Sequence, residues 1–219
     1  MRVLQIAIDG PAGSGKSTIS KIIAKRLDIS YLDTGAMYRM CTLKALNEGV
    51  DLNDESAIIQ CIDKIDIIIK KNRFYLDGKD VSDKIRVERV SKNVSKVAAV
   101  KEVREKMVSI QQQIASKTDV IMDGRDIGTH VLPNSNNKFY LNATVEERAK
   151  RRYDELNKKG ELVDFEAIKK SIIERDKYDM NRSHAPLIKA EDAIEVDTTH
   201  LSIEEVVNYI IESVSDKDD

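Results

Sequence analysis

The plainest chemistry in the chain lies in Gly10, Pro11, Ala12, Gly13, Ser14, Gly15, Lys16 and Ser17, with Thr18 following. The run reads G-x-x-x-x-G-K-S, a loop suited to holding a chain of phosphates. Its glycines let successive backbone N–H groups turn inward on the anion, Lys16 reaches the β/γ-phosphates, and the Ser17 hydroxyl suits magnesium. A glycine-rich turn with an idle lysine could show the same letters. The flanks speak against that, because the apolar run Val3–Ile8 leads in and Thr18–Leu27 follows with the apolar spacing of a helix.

A loop for a triphosphate donor leaves the acceptor open, and cations placed elsewhere bear on it. Arginine forks onto phosphate in a bidentate manner and keeps its charge at working pH. Arg39, Arg104, Arg125 and Arg182 each stand beside motif-like residues rather than inside lysine-rich surface runs. Any one alone reads as a surface ion pair; together they suggest a second anion site. Three readings remain open at this level: a nucleoside monophosphate kinase, a kinase for a small non-nucleotide acceptor, and a nucleotide-gated interaction module. A gated module needs no receptor for a second phosphate, so the second arginine set favours the kinases.

These residues need a scaffold. Strands are expected at Val3–Ile8, Ser30–Leu32, Asp119–Met122, Lys138–Asn142 and Ala193–Val196, alternating with helical segments. That order predicts an α/β fold, a five-stranded parallel sheet covered by helices. In such a sheet ligands sit beyond the carboxyl ends of the strands, which places Asp123-Gly124-Arg125-Asp126-Ile127-Gly128-Thr129 toward the phosphate loop. Ile65–Lys70 and Arg73–Leu76, with turns at Asn72 and Asp77-Gly78, predict a small antiparallel β insertion. Ile85–Ile114 reads as a helix broken near Ala98–Val100, with Arg104 off its apolar stripe. Thr144 with Glu147 suggests a helix start with a capping box, and Asp164 a cap for Phe165–Asp176. Met37, Met40, Leu43 and Leu46 form a core stripe, Ser202 opens an amphipathic closing helix, and Ser213–Asp219 reads as a frayed tail.

Composition narrows the classes. The chain has 219 residues, 36 Lys+Arg against 38 Asp+Glu, and a net charge of −2, so no global basic field favours nucleic acid or an anionic membrane. Its 2 cysteines are too few for a disulfide scaffold and lack histidines at metal spacing. No apolar run approaches the roughly 20 residues of a membrane span. The loop starting at Gly10 leaves no space for a secretory signal. The expectation is one folding unit, cytoplasmic, and monomeric because no long exposed apolar stripe remains once the core is assigned.

Four ordered motifs carry a resemblance: Ile8–Ser17, Leu32-Asp33-Thr34-Gly35-Ala36-Met37-Tyr38-Arg39, Asp123–Thr129, and Glu174–Arg182. Along nearly its whole length the chain resembles the bacterial cytidylate kinases, of the nucleoside monophosphate kinase family with the P-loop fold. The resemblance implies ATP-dependent phosphorylation of CMP and dCMP to CDP and dCDP, with Mg²⁺ accompanying ATP. It implies a monophosphate-binding insertion at roughly 34–115 and a mobile lid at roughly 148–165 that close to exclude water.

Residue by residue, it implies that Arg39, Arg125 and Arg182 grip the acceptor phosphate, that Asp179 holds the ribose, and that Thr34 lines the CMP site. Ser95, Arg104 and Asp126 would read the cytosine. Arg148, Arg151, Arg152 and Arg175 fall in or beside the lid segment, with Arg152 and Arg175 expected to join Lys16 in stabilising the transferred group. Ser17 would ligate magnesium directly, and Asp33 and Asp123 would hold its waters.

Overall fold

The computed structural model describes residues 3–70 and 73–214. The expected turn at Asn72 and the tail beyond Val214 lie outside the described residues. The central sheet is formed by β1 (Gln5–Asp9), β2 (Ser30–Asp33), β6 (Val120–Asp123), β7 (Asn137–Asn142) and β8 (Ile194–Asp197) in the order β2-β6-β1-β7-β8. β1 runs parallel to both β6 and β7, and β7 parallel to β8. The five-stranded parallel sheet expected from the alternation is therefore present, with each strand within a residue or two of its predicted bounds. Ile8 lies opposite Asp123 on one side and Phe139 on the other, so the carboxyl ends of three strands are level.

The helices are α1 (Lys16–Leu27), α2 (Thr34–Asn47), α3 (Glu55–Asp63), α4 (Glu88–Ala99), α5 (Lys101–Ala115), α6 (Val145–Lys158), α7 (Phe165–Asn181) and α8 (Ile203–Ser213). The break expected near Ala98–Val100 is real: α4 ends at Ala99 and α5 starts at Lys101. Asp164 caps α7 as expected, accepting from Ala167 N, though the helix runs on to Asn181. The capping box expected at Thr144 is only half made: Thr144 accepts from Glu147 N, but the Glu147 carboxylate takes Arg151 instead. A complete box forms at Ser202 and Glu205, where α8 begins. No described helix is long and apolar enough to cross a membrane.

The chain divides into two compact units, one of residues 1–32 and 112–219, the other of residues 33–111. In the first, Ile6, Ile8, Ile23, Phe139 and Leu141 make a buried core with Val206, Val207 and Ile210 of α8. In the second, Met37, Met40 and Leu43 of α2 are buried, as are Val90, Val94 and Val97 of α4, and Val103 and Met107 of α5. Removing each such side chain from water contributes about 1.5–3 kcal/mol; of the stripe expected on α2, Met37, Met40 and Leu43 are core and Leu46 is half-buried. The second unit also carries the antiparallel sheet β3 (Ile67–Lys70), β4 (Arg73–Leu76) and β5 (Lys79–Asp80).

Candidate functional site

The phosphate loop joins β1 to α1, and its backbone requires glycine where the pattern has it. Gly10, Gly13 and Gly15 have φ of 145°, 78° and 91°. A Cβ on Gly10 would stand 2.0 Å from the Leu141 carbonyl oxygen, and one on Gly13 3.1 Å from Arg148 Cβ. Side chains cap α2, α3, α6, α7 and α8, yet α1 begins at Gly15 with no side-chain cap and no acid in its first turn. Its first amides keep their partial positive charge for an anion.

Lys16 is buried and folds back on the loop, donating to Pro11 O at 2.6 Å and lying 3.3 Å from Ser14 Oγ. Burial, then the charges of Arg125 and Arg175, hold its ammonium well below the usual lysine range. The Ser17 hydroxyl donates to Asp123 Oδ2 at 2.8 Å, and the Tyr31 hydroxyl donates to Asp123 Oδ1 at 2.8 Å. Ser17 and Asp123, both expected near magnesium, are thus brought together from the first turn of α1 and the end of β6. Asp33 stands differently: it caps α2 through Ala36 N at 2.8 Å and pairs with Arg86 Nη2 at 2.5 Å.

After β6 the chain enters Arg125 and Asp126 and then a π-helical turn, Ile127–Val131, that the apolar pattern does not foretell. Arg125 Nε donates to Asp179 Oδ2 at 2.9 Å, and against burial that pairing keeps the guanidinium charged. Burial would raise the Asp179 carboxyl, but Arg125 and Arg175 hold it below the usual carboxylate range. Arg175 is pushed down to about 10 by burial and then by Arg125. Arg182 Nη2 lies 3.6 Å from Asp126 Oδ1, both side chains being buried. The unit that holds the phosphate loop therefore gathers Arg125, Arg175 and Arg182 around two acids, Asp126 and Asp179.

The lid-segment arginines separate into different surroundings. Arg148 is buried under the loop: Nη1 donates to Ala12 O at 2.9 Å and to Asp176, and Nε donates to Ala143 O at 3.0 Å. Asp176 completes the brace by accepting from Ala12 N at 3.1 Å. Arg151 donates to Thr198 and Glu147. Arg152 is paired with Glu155 at 2.7 Å on the helix surface, and its charge reaches Arg175. Asp9, Tyr31 and Asp176 carry no site signal of their own in the sequence, since each acts through partners distant along the chain, and Arg148, expected in or beside the lid segment, braces the phosphate loop instead.

In the unit of residues 33–111, Thr34 is the buried first residue of α2, and Arg39 Nη1 donates to Ser91 Oγ at 2.8 Å. Ser95 lies half-buried one turn after Ser91 on α4. Arg104, expected off the apolar stripe, is buried at 4% exposure. It donates from Nη1 to Ala98 O at 2.9 Å, with its guanidinium 5.2 Å from the Tyr38 ring centroid. A carbonyl and an aromatic face together let a guanidinium occupy an apolar wall.

Comparison with known proteins bears on this site. The family model described as cytidylate kinase matches residues 6–216. A cytidylate kinase of Clostridioides difficile (strain 630) is 52% identical over 212 residues, covering 97% of this chain and 98% of that protein. One of Alkaliphilus oremlandii (strain OhILAs) is 54% identical over 211 residues, covering 96% and 97%. Among solved structures, an uncharacterized protein from Eubacterium ventriosum ATCC 27560 superposes with a TM-score of 0.52 at 14% identity, covering 96% of this chain and 97% of that one, a likeness of fold.

Proposed function

The chain belongs to the cytidylate kinase family and is an ATP-dependent phosphotransferase acting on cytidylate; from that premise we propose which residues do which part of the work. The observation that carries the assignment is the half-buried set Arg125, Arg175 and Arg182, gathered around Asp126 and Asp179; the charges of Arg125 and Arg175 bear on Lys16. A triphosphate alone is served by the loop amides and Lys16. Further guanidinium groups in the same unit are suited to a second phosphate.

In this reading Gly10, Pro11, Ala12, Gly13, Ser14, Gly15, Lys16, Ser17 and Thr18 bind ATP, with Lys16 and the loop amides not already engaged, as Ala12 N is with Asp176, holding its phosphates. Arg39, Arg125 and Arg182 hold the CMP or dCMP phosphate, while Asp179 takes the ribose. The attacking phosphate oxygen is already anionic, so no general base is required. Catalysis then consists of alignment and of positive charge placed where the transferred group is loosest, from Lys16, Arg152 and Arg175. Thr34 lines the acceptor site. Asp126 would accept from the N4 amino group of cytosine, with Ser95 and Arg104 serving the remaining edge. Uracil carries an acceptor where cytosine has that donor, which disfavours UMP.

Magnesium fits the residues present. Ser17 and Asp123 form an all-oxygen, hydrogen-bonded pair beside the phosphate loop, the hard donor type that magnesium takes in small number. Ser17 would ligate it directly, with Asp123 and Asp33 acting through water; when bound it would offset charge on the β- and γ-phosphates. Asp33 serves here while also capping α2. The substrates are soluble nucleotides, and we read the enzyme as a cytoplasmic monomer that engages neither nucleic acid nor membrane.

The test is an acceptor panel of CMP, dCMP, UMP, AMP and shikimate with Mg-ATP, and Lys16→Met as the inactive control. Cytidine nucleotides should lead the panel. A preference for any other acceptor defeats the assignment of Asp126 and Arg104 to the base.

A further inference from the structure

The π-helical turn that follows Arg125 and Asp126 is capped from far away in the sequence. Asp126 occupies the position before the turn, where a carboxylate commonly accepts the first free amides, but its side chain makes no cap hydrogen bond. Those amides go to Asp9. Ile127 N donates to Asp9 Oδ1 at 2.8 Å and Gly128 N donates to Asp9 Oδ2 at 2.7 Å.

Asp9 is the last residue of β1, and the phosphate loop begins at the next residue. The strand carrying it is registered on β6 with Ile8 opposite Asp123, and Gly124 N donates to Ile8 O at 3.0 Å. Both ends of the Arg125-Asp126 pair are therefore tied to β1, the near end by the backbone and the far end by one buried carboxylate. Hydrogen bonds from N–H groups to an ionised carboxylate are shorter and stronger than neutral ones, and two on one side chain fix direction as well as distance. Relieved of capping, the Asp126 carboxylate lies against Arg182.

We propose that Asp9 is a positioning residue for the acceptor nucleotide: by capping Ile127 and Gly128 it fixes the direction in which Arg125 and Asp126 present their side chains. It touches neither substrate. The inference rests on the reading above, that Arg125 and Asp126 hold CMP. An asparagine at position 9 can accept one of the two amides but sets its own NH₂ against the other. A buried amide left without an acceptor forces the turn to shift.

The experiment is steady-state kinetics with CMP and ATP varied separately, on the wild type, Asp9→Asn, Gly128→Ala and Arg125→Lys, together with amide exchange at Ile127 and Gly128. Asp9→Asn should raise the KM for CMP about ten-fold, the effect of one lost charge-assisted hydrogen bond, with faster exchange at both amides and KM for ATP within about two-fold of wild type. Gly128→Ala probes the same contact from the other side: its Cβ would stand 3.2 Å from Lys138 Cδ, tighter than ordinary packing, and would set an apolar atom 3.4 Å from Asp9 Oδ2. It should show the same pattern to a smaller degree, and it decides the matter if Asp9→Asn does not fold.

Equal increases in both KM values would mean that Asp9 acts on the phosphate loop, and a lower melting temperature with both KM values unchanged would mean that it only holds the fold; either overturns the proposal. If Arg125→Lys raises the KM for CMP and the other two variants do not, the cap proposal alone fails. If Arg125→Lys also leaves that KM unchanged, the acceptor assignment falls and the proposal falls with it.

Discussion

Asp9 should show its burial in the pH dependence of folding. Burial raises its carboxyl from 3.8 to about 6, with the charge of Asp126 adding to the rise and the two amides and Lys16 opposing it. A carboxyl whose folded value lies above its unfolded one favours the fold in its neutral form. That advantage is fully present below pH ~4 and lost as pH rises through about 6. The displacement corresponds to about 3 kcal/mol. Urea unfolding of wild type and Asp9→Asn at a series of pH values isolates it, because the other carboxylates titrate in both proteins. The wild type should lose up to about 3 kcal/mol relative to the variant between pH ~4 and ~7, and a difference that stays flat would remove the buried titration. Lys16 is the complementary residue for chemistry: its replacement by methionine should lower kcat by about 10²–10³-fold, the usual cost of one preorganised donor at a developing charge, measured at saturating CMP.

At the scale of elements, α6 and α7 meet the phosphate loop through one ion pair. Arg148 and Asp176 are both buried, and between them they engage the carbonyl and the amide of Ala12. Removing one partner strands the other charge, so Arg148→Met should cost about 3–5 kcal/mol in urea unfolding. Arg148→Met combined with Asp176→Leu should recover part of that loss, and no recovery would show that the ion pair is not the reason for it. This brace also marks what the sequence could and could not disclose. The strands, the loop and the Asp164 cap rest on local signals, namely apolar period, glycine placement and a capping residue three positions before the amide it accepts. The Arg148–Asp176 pair spans 28 positions and the Asp9 cap 118, and no periodicity encodes such partners. Arg104 was legible as a cation beside a motif, but its wall was not, because the Ala98 carbonyl and the Tyr38 ring that line it belong to other helices. Of the candidate site, the residues with motif context were legible as types; their hydrogen-bond assignments were not.

Over the whole molecule, the two compact units allow the substrate assignments to be separated by mass action. A ligand that binds only the folded state stabilises it by an amount set by its concentration over Kd, about 2.7 kcal/mol at a hundred-fold excess. Lys16 belongs to the unit of residues 1–32 and 112–219, and Arg39 to the unit of residues 33–111. Lys16→Met should lose most of the stabilisation by Mg-ATP while keeping that by CMP. Arg39→Ala should do the reverse, because it removes one guanidinium proposed for the acceptor phosphate and leaves the loop intact. Thermal unfolding of both variants with each nucleotide at fixed concentration reads the four combinations directly. Should Arg39→Ala keep the full stabilisation by CMP, the unit of residues 33–111 would lose its proposed share of the acceptor phosphate, and Arg125 and Arg182 would have to carry it alone.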